Sequence, residues 1–129
     1  VIRPMRKAIG VVKPAVMAAV VCLALPAAAQ EVASAPGAVL RTLDKVSGHA
    51  SDVELRSGQS ARLGNIDIVL NDCRYPVGDP SGDAYAELEI SNVSGSGSLF
   101  SGWMIASAPA LSALEHPRYD VWVMRCITS

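Results

Sequence analysis

Turn-forming residues cut this chain into runs too short for a helical core. Ser47-Gly48, Ser57-Gly58-Gln59, Gly64-Asn65, the stretch RYPVGDPSGD (Arg74–Asp83) and the stretch SNVSGSGS (Ser91–Ser98) follow one another closely. Glycine and proline at such intervals punctuate strands. Between them the residues alternate rather than recur every third or fourth position. Ala84, Ala86, Leu88 and Ile90 alternate with Tyr85, Glu87 and Glu89, the pattern of a strand with one buried face. The extended runs are Val39–Val46, Asp52–Arg56, Ser60–Leu63, Ile66–Leu70, Ala84–Ile90, Leu99–Ala106 and Tyr119–Cys126. Short strands with regular turns predict a mainly β fold: a small antiparallel β-sandwich or a partly open barrel.

Within that frame several details are expected. The turn at Ser57-Gly58-Gln59 predicts a hairpin between Asp52–Arg56 and Ser60–Leu63. In Ile66–Leu70 one face holds Ile66, Ile68 and Leu70, and strict alternation puts Val69 and Cys73 on the other. The last strand carries Tyr119, Val121 and Val123 on one side and Trp122, Met124 and Cys126 on the other, which predicts a central strand. Trp122 and Phe100 are candidate core residues. Ser107 as N-cap, Pro109 in the first turn and Pro117 as the stop predict one short helix near the C-terminus, with Ala110, Leu111 and Leu114 on its inner face.

The first thirty residues have a different composition. Arg3, Arg6, Lys7 and Lys13 precede an apolar run from Ala15 to Leu25, which contains Cys22, and Pro26-Ala27-Ala28-Ala29 follows. Basic, then apolar, then small is the layout of a secretory signal peptide. The apolar run is well short of the roughly 20 residues needed to span a bilayer. The expectation is a signal peptide over residues 1–29, a flexible leader over 30–37 and one β-rich domain over 38–129, exported from the cytoplasm. Without residues 1–29 seven basic residues face twelve acidic ones, a net charge of −5. A mildly acidic domain with no basic cluster argues against nucleic acid as a partner. Two cysteines then remain, Cys73 and Cys126, and an even pair in an exported chain reads as a disulfide. A thiolate metal site has no CxxC or nearby His in its support.

Chemistry is sparsely marked. Glu115-His116-Pro117-Arg118-Tyr119-Asp120 is the densest polar group beside aromatic residues. His116 with Asp120 or Glu115 is the pair that a small hydrolase-like or metal-dependent enzyme would use, because imidazole exchanges protons near neutrality. The structural alternative has His116 and Glu115 finish the helix. His49 and His116 lack the HxH, HxxH or HExxH spacings of zinc sites, so no metal or other cofactor is expected. Ser94 and Ser101 lack the GxSxG context of a nucleophile elbow. Trp103, beside Gly102, either lies at a rim where a partner docks or covers the short helix. The candidate binding residues are therefore Trp103, His116, Tyr119 and Asp120. They belong to a non-catalytic module whose partner is an envelope protein or a cell-wall component.

A resemblance adds to this reading. LDKVSG (Leu43–Gly48), LGNIDI running on to Cys73, and a long final signature resemble an alphaproteobacterial family of exported proteins known only as a domain of unknown function. The final signature runs as Phe100–Met104, Ala108–Leu111, Ala113–Val123 and Cys126. Ser47 and Ile105 are mild departures, the family more often having Thr and Phe there. The resemblance implies a periplasmic, Gram-negative setting and assigns no catalytic residues.

Overall fold

Each expected strand forms, and one unexpected strand joins them. The computed structural model describes residues 30–128, so the signal-peptide reading of residues 1–29 lies outside the described residues. The strands are β1 (Val32–Ala35), β2 (Gly37–Asp44), β3 (Ala50–Arg56), β4 (Ser60–Leu63), β5 (Ile66–Pro76), β6 (Tyr85–Asn92), β7 (Ser98–Ile105) and β8 (Tyr119–Ile127). They build two antiparallel sheets. One has the order β1-β5-β6-β7, with β4 also pairing β5; the other has the order β3-β2-β8. The sheets face each other across Leu40, Ile66, Ile68, Leu70, Leu88, Ile90, Met104 and Val123, all buried. Burying side chains of this size contributes about 1.5–3 kcal/mol each, before the entropy cost of ordering them. The architecture is an open two-layer arrangement, not a closed barrel.

Two β-bulges decide which residues reach the core. Alternation alone would face Cys73 away from Leu70, but the β5–β6 register shifts between Leu70 and Asp72. The extra residue reverses the phase, and Cys73 is fully buried with the Ile66–Leu70 face. A second irregularity in the β2–β8 pairing sets Leu40 opposite Val123 and Val39 opposite Arg125, leaving Met124 as the extra residue. Cys126 thereby joins Tyr119, Val121 and Val123 on the inner face, correcting the strict alternation, and Arg125 turns outward. The two cysteines meet as a disulfide with a Cα–Cα distance of 5.8 Å.

Other expectations are corrected. The leader over residues 30–37 is largely structured: β1 pairs with the end of β5, Ala35 standing opposite Cys73. That pairing lengthens β5 through Arg74, Tyr75 and Pro76, which the turn-rich composition had assigned to a loop. β3 and β4 do not form a hairpin. β3 pairs with β2, β4 pairs with β5, and the turn between them carries the chain from one sheet to the other. β8 is an edge strand, with β2 at the centre of its sheet.

No helix forms after β7. Ser107 is tied instead to Asp83, its hydroxyl donating to Oδ2 at 2.6 Å and its N–H to Oδ1 at 3.0 Å. The rest of the segment makes single turns, Ala108 N–H to Ile105 carbonyl and Leu111 N–H to Ala108 carbonyl. A two-turn helix is too short to stand on local propensity, and here its inner face is not covered: Leu114 is buried but Leu111 is 78% exposed.

Candidate functional site

Trp103 lies on the outward face of the five-stranded sheet, where the alternation of β7 puts it with Ile105 and away from buried Met104. Pairing register brings its neighbours. Ser34, Arg74, Tyr85 and Ile105 stand in one cross-strand row; Asp72, Glu87 and Trp103 stand in the next. Such same-face neighbours interact directly. The Arg74 guanidinium lies 4.8 Å from the centroid of the Trp103 ring, within cation–π range. Asp72 fixes that guanidinium, its Oδ2 accepting from Arg74 Nε at 2.9 Å and from the Ser34 hydroxyl at 3.2 Å. Val32, Tyr85 and Ile105 complete a shallow, mostly apolar groove of about 360 Å³ beside the ring, with Gln30 at its end. Trp103 therefore does not cover a helix. It is half-buried in a row of large side chains on a sheet face that ordinarily carries polar ones.

The turn holding the other candidates is built differently. The His116 Nδ1 accepts the backbone N–H groups of Arg118 at 3.0 Å and Tyr119 at 3.1 Å, and its ring lies 5.2 Å from that of Tyr119. Its carbonyl accepts from Lys45 Nζ, and the same ammonium lies 3.6 Å from Asp120. Tyr119 is buried. Arg118 reaches back to Asp44 at the end of β2, with Nη2 to Oδ2 at 3.0 Å and Nε 3.3 Å from both oxygens. The turn thus clamps the start of β8 to the end of β2. No carboxylate hydrogen-bonds the imidazole among the described residues, so the acid–base pair of His116 with Asp120 or Glu115 is not assembled. Nor do three His, Cys, Asp or Glu side chains converge as metal ligands among those residues.

The clamp has a pH signature. Hydrogen bonds from Arg118 hold the Asp44 carboxyl at about 2, below its ordinary 3.8, with help from the Val46 and Ser47 N–H groups. A depressed carboxyl stabilises the fold above its unfolded pKa, and that contribution is lost as pH falls through the folded value. Acid titration of the unfolding free energy is expected to show a decline between about pH 4 and pH 2. Asp44→Asn removes that part of the slope, and an unchanged slope in the variant contradicts the assignment.

Sequence reasoning singled out Trp103 and missed the partners that make its surface. Arg74 opens the turn-rich stretch that predicts a loop, and Val32 and Gln30 lie in the stretch that predicts a flexible leader. Tyr85 and Ile105 carried a signal, as large apolar groups on the solvent phase of otherwise alternating strands, but only the register joins them.

Phe100 and Trp122, expected in the core, are both half-buried; Phe100 packs against the core margin and Trp122 faces outward on β8. No helix among the described residues is long and apolar enough to cross a membrane. Comparison with solved structures finds no match. An uncharacterized protein of Rickettsia prowazekii (strain Madrid E) is 30% identical over 87 residues, covering 65% of this chain and 56% of that protein, so the chain spans little more than half of the relative's length. The bacterial family described as "Uncharacterized protein conserved in bacteria (DUF2155)" matches residues 38–126, from β2 to the second cysteine of the disulfide, and the chain belongs to that family.

Proposed function

We propose that this protein is a non-catalytic binding module of the cell envelope, working in the periplasm, and that the Trp103 face is its docking surface. The observation that carries the reading is the outward cluster of Trp103, Ile105 and Tyr85, with Arg74 fixed over the indole by Asp72. Aromatic and arginine side chains dominate binding hot spots, and a guanidinium already fixed in place loses less entropy when a partner arrives. Support for the compartment comes from the basic–apolar–small leader and from a disulfide at the core, which persists in oxidising surroundings. The partner is an envelope protein or a cell-wall component that presents an apolar group to the groove. The His116–Asp120 turn holds the scaffold together at a distance from this chemistry.

The test is site-specific photo-crosslinking from position 105 in intact cells. A defined envelope species is expected to be trapped by the natural sequence and lost on Trp103→Ala. Truncating a hot-spot residue weakens binding by about 2 kcal/mol or more, roughly thirtyfold. Thermal unfolding of the variant controls for stability. Equal trapping by a folded Trp103→Ala protein refutes the docking surface, and recovery of the chain only from the cytosol refutes the compartment.

A further inference from the structure

Seven basic side chains lie between residues 30 and 128, and five of them are matched to an aspartate. The pairs are Arg41 with Asp52, Lys45 with Asp120, Arg62 with Asp67, Arg74 with Asp72 and Arg118 with Asp44. The other two, Arg56 and Arg125, make no ion pair among the described residues. In a chain with an excess of acid, both line one hollow of about 490 Å³ where the ends of β3 and β8 meet the loop after β5.

The register explains how they come together. Arg56 of β3 stands opposite Gly37, while Glu54 of β3 and Arg125 of β8 stand on either side of Val39. Glu54 and Arg56 share the outward face of β3, and the extra residue at Met124 gives Arg125 the same outward phase. Gly37 leaves the space between β3 and β8 without a side chain. It has to be glycine, because a Cβ there would lie 2.4 Å from the Leu55 carbonyl oxygen. Ser81, from the loop after β5, and Thr128, just beyond β8, add hydroxyl groups to the wall.

We infer that this hollow binds a small carboxylate ligand through Arg56 and Arg125. A guanidinium offers a planar fork of N–H donors that matches a carboxylate, and two of them in one concavity with no carboxylate bonded to either are arranged for an oxyanion. Glu54 sets the charge. It offsets one of the two guanidinium charges, and Asp52, already bonded to Arg41, draws on Arg125 as well, so a singly charged carboxylate leaves less uncompensated negative charge in the hollow than the phosphate dianion would. The volume falls in the range of small-molecule sites, about 300–1,000 Å³. Because the hollow and the Trp103 groove share no residue, this site stands or falls independently of the docking surface.

The experiment is an NMR titration of the arginine Nε–H groups in the intact protein, with acetate and inorganic phosphate as separate probes. Saturating shifts at Arg56 and Arg125 are expected with acetate, at lower concentration than with phosphate. Arg56→Gln or Arg125→Gln each weakens acetate binding about tenfold, the size of one lost hydrogen bond to a charged group. Both residues are exposed, and unchanged amide shifts elsewhere verify the fold. Glu54→Gln is expected to bring phosphate binding up to that of acetate. Shifts that rise linearly without saturation, that appear equally at Arg62, or that survive both glutamine variants overturn the site. Phosphate binding more tightly than acetate in the natural sequence overturns the carboxylate assignment.

Discussion

Replacing Cys73 and Cys126 together by alanine is expected to lower the free energy of unfolding by about 4 kcal/mol, the loop-entropy value for closing a segment of this length. The bridge spans 53 residues and joins β5 to β8, strands that belong to different sheets. Without it the unfolded chain recovers the freedom to separate those segments, while the folded protein keeps nearly every contact. A domain of about a hundred residues has a total stability on the order of 5–15 kcal/mol, so the loss is a large fraction. Denaturant unfolding of the oxidised natural protein, its reduced form and the double-alanine variant measures it. Reduced protein and variant should agree closely. A difference of under about 1 kcal/mol between oxidised and reduced forms would show that the bridge adds little, outside the usual range for such crosslinks.

Gly64→Ala is expected to cost about 2–4 kcal/mol, combining left-handed backbone strain with overpacking. Gly64 turns β4 into β5 with φ at +55°, and a Cβ placed on it would lie 1.9 Å from the Tyr119 hydroxyl oxygen. Neither problem relaxes easily. The turn fixes the pairing of Leu63 with Ile66, and Tyr119 is buried at the start of β8 beneath the His116 turn. Tyr119→Phe removes the oxygen and should recover part of the loss, leaving the backbone strain. Equilibrium unfolding of the two single variants and the double variant separates the contributions. Strict additivity of the two changes would mean that the ring and the turn do not meet.

The strand periodicity was legible wherever one face is buried without interruption. In β6 and the residue before it, sequence alternation and observed burial coincide from Ala84 to Ile90. The pairing of Cys73 with Cys126 was legible as well, from their number and the expected compartment. Their orientation was not, because a bulge inserts one residue and reverses every later side chain, and no residue type announces it. The absent helix shows the opposite failure. Ser107, Pro109 and Pro117 are sound local signals, yet Asp83, far off in sequence, holds Ser107 in a different arrangement. Non-local partners also explain the leader, since Val32–Ala35 has no strand pattern of its own and is ordered by the exposed edge of β5. The same limit applies to the surfaces. Trp103 could be named from the chain, but Arg74, Tyr85 and Arg125 gain their neighbours only through register.

The link from β1 to β2 is the single residue Pro36, and it crosses between sheets where Ala35 faces Cys73 and Ala38 faces Cys126. The peptide chain and the sulfur bridge therefore run side by side at one end of the sandwich, like two stitches in the spine of a book. The layers are held together most tightly along that spine. Breathing of the interior therefore opens most readily from the fore-edge, away from the end that the two links hold.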